Sequence, residues 1–172
     1  DAFVGVDVEH PLALVDAVDG AFIDACAVLE VDAWLGDDVG HRILLEGHGV
    51  LGPRTTAVHA THVTAADIRL LGASRTASCF CPTTERDLAD GIGPARRLAD
   101  AGAPLWLGSE QHAVVDPFEE VRGLEPHERL SSLERGRFAP QELLAAATWQ
   151  GHAALGWPEA GRISVGAPAD LV

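Results

Sequence analysis

Three apolar runs between Thr55 and Pro117, each ending in chemically loaded residues, constrain this chain more than any other feature. The first is Thr55-Thr56-Ala57-Val58-His59-Ala60-Thr61-His62. The second is Ala77-Ser78-Cys79-Phe80-Cys81-Pro82-Thr83-Thr84-Glu85, and the third is Pro104-Leu105-Trp106-Leu107-Gly108-Ser109-Glu110-Gln111-His112. Two segments of helical character separate them, so the order is strand, helix, strand, helix, strand. Polar groups collect at the C-terminal ends of the strands, where parallel α/β folds keep their active sites.

The flanks are read by the same rules. Thr64 with Asp67 three residues later has the capping-box arrangement, and predicts a helix from Ala65 to about Gly72. A strand over 77–81 ends at Pro82, and a helix over 95–101 follows the Asp90-Gly91-Ile92-Gly93-Pro94 loop and stops at Gly102. An amphipathic stretch from about Pro117 to Leu133 is expected to be interrupted near Pro126. Pro140 suits the first position of a helix running to near Gly156. The tail, Gly161 to Val172, reads as two short strands joined by a Gly-Ala-Pro turn. Toward the N-terminus, residues 4–8 alternate as a short strand does, residues 21–35 suit a helix ending at Gly36, and residues 41–46 are helix-like. The expected organisation is an unassigned segment over 1–40, an α/β unit over 41–156 and a β-rich segment from 157.

Composition narrows the partners. The 172 residues carry a formal charge of −14, with twelve arginines and no lysine. An acidic balance disfavours nucleic acid and anionic membrane surfaces, both of which need basic patches, and says nothing positive about a small-molecule substrate. Cys79 and Cys81 do not make a disulfide framework, and no apolar run approaches the ~20 residues of a membrane span. A cytoplasmic protein is expected, with a homo-oligomer left open. The first residue is Asp1, Met is absent throughout, and the last residues look like the start of a strand, so a fragment of a longer protein is expected.

The candidate chemistry lies at the strand ends. Imidazole with its ordinary pKa of ~6.5 can ligate a metal or carry a proton. His59 ends the first strand and His62 follows it; alone, a His-x-x-His more often merely marks a strand end. Glu110 and His112 at the third strand, and Thr83, Thr84 and Glu85 at the second, supply the company that makes a site. The candidate metal ligands are chiefly His59, His62, Glu110 and His112; a hydrolytic zinc site needs three or four ligands with an open position for water, and the expectation here is half a metal site. His10, His41, His48, His127 and His152 are read as solvent-exposed, Cys79 and Cys81 as core packing, and the carboxylates Asp7, Glu9, Asp16, Asp19, Asp24 and Glu30 as a solvated acidic face.

The segments Val58 to Thr64, Cys81-Pro82-Thr83-Thr84-Glu85-Arg86-Asp87-Leu88-Ala89-Asp90-Gly91-Ile92 and Leu107 to His112 resemble the formimidoylglutamate deiminases of the amidohydrolase superfamily. Residues 161–172 are similar to the superfamily tail that returns to a small β domain. The resemblance covers about Gly47 to Val172. It implies strands six to eight of a (β/α)8 TIM-type barrel that binds one zinc and deiminates N-formimino-L-glutamate in histidine degradation. It also implies that His59 matches the strand-six histidine that handles the attacking water. Glu110 stands where the family's zinc-binding, proton-shuttling aspartate lies, and Gln111 where a serine follows it. No His-x-His of a first strand occurs in the chain. Two other readings remain open: a truncated, non-catalytic homologue lacking a complete metal site, and another deaminase of the superfamily.

Overall fold

The computed structural model describes residues 27–31, 46–110 and 114–169. Four strands form one parallel sheet in the order β1 (Ala27–Val31), β2 (Thr55–His59), β3 (Ala77–Phe80) and β4 (Leu105–Leu107). Sequence neighbours are sheet neighbours throughout, with Val31 opposite His59, Val58 opposite Cys79, and Phe80 opposite Leu107. That in-order winding brings the C-terminal ends of β2, β3 and β4 side by side. Almost every residue of β2 and β3 is buried, as a parallel sheet covered on both faces requires.

β1 corrects the expected helix over 21–35. Its five residues pair with β2, so sheet pairing overrides a weak local helical pattern. The rest of that expected helix, the expected strand over 4–8 and most of the helix-like stretch over 41–46 lie outside the described residues.

Helix α1 (Ala65–Ser74) starts on the expected capping box. The Asp67 N–H donates to Thr64 Oγ1 at 3.3 Å, and the Thr64 N–H donates to Asp67 Oδ2 at 2.7 Å. It ends at Ser74, two residues past the expected end near Gly72. That glycine is a packing position: a Cβ there would stand 2.2 Å from the carbonyl oxygen of Ala101 in α3 (Ala95–Ala101). The left-handed cap is instead Arg75, while α3 ends at left-handed Gly102 as expected.

A short helix, α2 (Pro82–Asp87), follows β3 directly, with Pro82 in its first turn. It packs on α4 (Pro117–Ser132), which runs unbroken through Pro126 and so corrects the expected interruption. Pro126 and Arg122, the residue whose carbonyl loses its helical donor, are both exposed, so water can satisfy that carbonyl. Gly123 on the same helix lies against Pro82, where a Cβ would come within 2.6 Å of the proline ring.

The helix expected from Pro140 to near Gly156 is two helices, α5 (Pro140–Ala146) and α6 (Trp149–Ala154). At the break the Thr148 hydroxyl donates to the Leu144 carbonyl at 2.7 Å, a side-chain bond that competes with the helix ladder. No strand occurs among the described residues 157–169, against the two expected there. Ile163 and Val165 are 93% and 109% exposed, so the alternation is present but no described strand pairs with it. The core gathers Ala57, Ala60, Ile68, Leu71, Phe80, Leu98, Leu105, Leu124 and Phe138 between sheet and helices. No helix among the described residues is long and apolar enough to cross a membrane.

Candidate active site

The chain bends sharply where β2 ends. The Ala60 N–H donates back to the Val58 carbonyl at 2.9 Å, closing a γ-turn around His59, whose φ is +65°; Ala60 follows at +48°. Two consecutive left-handed residues with side chains cost roughly 1–2 kcal/mol each. Ala60 is fully buried and His59 only 4% exposed, so packing holds the turn. Strain of this kind clusters at functional sites.

The turn sets the His59 imidazole between two carboxylates carried by the neighbouring strand ends. Nδ1 lies 3.3 Å from Glu85 Oε1, and Nε2 lies 2.7 Å from Glu110 Oε2. Glu85 is 2% exposed, whereas about a third of the Glu110 side chain reaches solvent. The site therefore has a buried side at Glu85 and an open side at Glu110. The Glu85 bond pushes the His59 pKa up, burial opposes it, and Cys81 and Glu110 add to the rise, so the value reaches about 9. The result is an imidazolium at neutral pH with a carboxylate on each nitrogen, an arrangement that can hold a proton and pass it between Nε2 and Glu110.

Three supports build the site. Glu85 Oε1 also accepts the Cys81 N–H at 2.9 Å, tying the carboxylate to the turn between β3 and α2. α2 is anchored in turn by Glu120 of α4, a 2% exposed carboxylate that accepts both the N–H and the hydroxyl of Thr83. Last, Gly108 after β4 passes against the two thiols, where a Cβ would lie 3.1 Å from Cys81 Sγ and 3.3 Å from Cys79 Sγ. Both cysteines are free. The hydrogen bond they share pushes the Cys79 pKa up and the Cys81 pKa down, the latter against burial and with help from the Glu110 N–H and His59.

Of the residues expected at the site, His59, Glu85 and Glu110 come together. Thr83 is committed to Glu120, and Thr84 is buried in the first turn of α2. His62 is exposed and stands beside Gly91, outside this hydrogen-bonded set. His112 lies outside the described residues, as do His10 and His41. His127 and His152 are half-buried rather than solvent-exposed, because each lies on a helix that packs inward; burial pushes the His127 pKa down. Sequence reasoning missed Glu120. Its position on an acidic amphipathic helix gives no signal that it caps a turn 37 residues earlier.

Structural zinc sites use four ligands and catalytic ones three. Among the described residues no group of three or more His, Cys, Asp or Glu is placed to hold a metal. His59 and Glu110 face each other as a hydrogen-bonded pair, so the described residues do not by themselves fit a zinc ion.

The family model for the amidohydrolase family matches residues 18–172. The chain belongs to the amidohydrolase family. It is 36% identical over 129 residues to 8-oxoguanine deaminase of Pseudomonas aeruginosa, covering 74% of this chain and 29% of that protein. It is also 36% identical over 126 residues to formimidoylglutamate deiminase of the same species, covering 69% and 28%. A 5-methylthioadenosine/S-adenosylhomocysteine deaminase of Pelotomaculum thermopropionicum is 33% identical over 131 residues, covering 74% and 30%. This amidohydrolase chain thus spans less than a third of the length of the curated relatives it matches. Among solved structures, an amidohydrolase from Brucella melitensis aligns with TM-score 0.76 at 27% identity, over 90% of this chain and 38% of that one. An adenosine deaminase from Xanthomonas campestris with bound zinc aligns with TM-score 0.74 at 26% identity, over 92% and 38%.

Proposed function

We propose that this chain is an arc of a (β/α)8 barrel from a deaminase that hydrolyses a C–N bond and releases ammonia, with N-formimino-L-glutamate as its substrate. The observation that carries the reading is the His59 imidazole held between Glu85 and Glu110 at the C-terminal ends of adjacent parallel strands. Hydrolytic deamination needs a base for the attacking water and an acid for the departing nitrogen, since an amine leaves only when protonated. In this reading Glu110, on the open side, takes the proton from water. His59, sharing a proton with Glu110 through Nε2, returns it to the leaving nitrogen. A zinc ion belongs to the proposal for the complete enzyme, with Glu110 the carboxylate this chain would offer it and further ligands supplied from elsewhere.

The choice of substrate is supported by the Cys81-Pro82-Thr83-Thr84-Glu85 run followed by Asp90-Gly91-Ile92, and by the likeness to the formimidoylglutamate deiminase. Equal identity to the 8-oxoguanine deaminase favours a second reading, a deaminase of purine-type substrates. A chimera separates the two. The matched segment of the Pseudomonas formimidoylglutamate deiminase is replaced by this chain's residues, and ammonia release is followed with N-formimino-L-glutamate and with 8-oxoguanine. Release from the first, abolished by His59→Ala, is the expected outcome. Release from 8-oxoguanine alone would support the second reading, and a folded, zinc-loaded chimera inert toward both would sink the deaminase assignment.

A further inference from the structure

We infer that Glu85 is a positioning residue: it grips His59 Nδ1 from the buried side so that Nε2 is presented to Glu110 and the open face of the site. The inference rests on the proposed proton-handling pair and adds the residue that aims it.

The geometry points to this role in three ways. A single oxygen, Glu85 Oε1, lies 2.9 Å from the Cys81 nitrogen and 3.3 Å from His59 Nδ1. The first bond fixes the carboxylate to the backbone at the end of β3, so the second bond refers the imidazole to that backbone. Burial comes next. With Glu85 2% exposed and His59 4% exposed, water does not compete for the Nδ1 bond while the carboxylate is in place, and loss of the carboxylate removes both the partner of that nitrogen and the group that covers it. The third point is the turn. His59 stands at φ +65°, followed by Ala60 at +48°, so the backbone holds a conformation that L residues avoid and would release if the ring let go. Glu110 cannot do this work, because its side chain is partly open to solvent and follows β4 in a loop.

The bond at 3.3 Å is long, as hydrogen bonds of catalytic groups often are before a substrate closes the site. What it must do is carry a proton on Nδ1 and keep the ring from turning over. Glu85→Gln retains an oxygen for both Cys81 and His59 and should therefore hold the ring; Glu85→Ala removes it.

The test uses the 172-residue chain labelled with nitrogen-15 in its histidines, with His59 assigned through the signals lost in His59→Ala. In the unsubstituted chain Nδ1 is expected to resonate as a protonated nitrogen with a hydrogen that exchanges slowly with water. In Glu85→Ala that exchange should be faster by at least about tenfold, the weight of one hydrogen bond, while Glu85→Gln keeps the slow exchange. A merely structural role would not give a rescue confined to the Nδ1 signal. The inference is overturned if Nδ1 is unprotonated in the unsubstituted chain, a result that needs no variant to fold. It is equally overturned if the Nδ1 hydrogen stays protected in a folded Glu85→Ala chain. Neither readout depends on ammonia release, so failure of the deaminase reading and failure of the positioning role are told apart.

Discussion

Glu125 offers a test of how the helices that carry the site are held. It sits midway along α4, 6% exposed, and its carboxylate leaves the helix to bind the loop after it. Oε1 accepts from the Gly136 N–H at 2.8 Å and from Arg129 Nε at 2.9 Å, and Oε2 accepts from the Phe138 N–H at 2.9 Å. Glu125→Ala removes all three. The Arg129 side chain is 50% exposed, so its pair contributes under about 1 kcal/mol. Gly136 is exposed and water can take its N–H, but Phe138 is 4% exposed and its N–H has no such recourse. An orphaned buried donor costs about 1–3 kcal/mol, with bonds to charged groups toward the upper end. The expected loss is therefore about 2–4 kcal/mol, a large share of the roughly 5–15 kcal/mol that holds a domain folded.

The same residue predicts a pH dependence with a definite sign. Burial alone would raise the Glu125 pKa, but the bonds from Phe138, Arg129 and Gly136 outweigh it and hold the pKa below the ordinary carboxylate value. A depressed folded-state pKa contributes stability that is fully present above the unfolded value of roughly 4.3 and is lost as pH falls through the folded value. Urea unfolding of the 172-residue chain and of Glu125→Ala, at pH 7 and at stepwise lower pH, measures both effects. The gap between the two should be largest at pH 7 and narrow on acidification. A gap below 1 kcal/mol at pH 7, or one that does not change with pH, refutes the reasoning.

Two further substitutions address the packing beneath the site. Gly72→Ala gains about 1 kcal/mol of helix propensity, yet its Cβ would lie 2.2 Å from a backbone oxygen of Ala101 that cannot swing away. Overpacking of about 1–3 kcal/mol wins, so the melting temperature should fall; a rise would show that α1 and α3 part freely. Glu120→Ala leaves the Thr83 N–H and hydroxyl without their acceptor and should cost about 2–4 kcal/mol, with faster amide exchange across residues 82–87. Unchanged exchange there would mean that α2 is held by its packing on Gly123 instead.

Much of the local architecture was legible because its causes lie within a turn or two of chain. Thr64 with Asp67, Gly102 in the left-handed region and Pro140 at a helix start are short-range devices, and each acts where the sequence places it. The same short-range rules give no sign that Gly72 is a packing position, because the reason for that glycine is a helix distant in sequence. They misread residues 27–31, whose strand exists through its pairing with β2, and the tail, whose alternating residues have no described pairing partner.

At the site the division is similar. Apolar runs ending in His59, Glu85 and Glu110, separated by helical segments, were enough to place a histidine and two carboxylates at one end of a parallel sheet. Sequence alone thus determined which chemistry is on offer and at which end of the strands. It could not determine which nitrogen of His59 meets which carboxylate, because those partners lie 26 and 51 residues away and their distances depend on sheet register and on a strained γ-turn. Nor could it reveal that Glu120, from a helix beyond β4, anchors the turn carrying Glu85. Capping and periodicity are settled by neighbours along the chain, whereas convergence of side chains is settled only when the strands pair and the helices pack, and that part was decided by the tertiary structure.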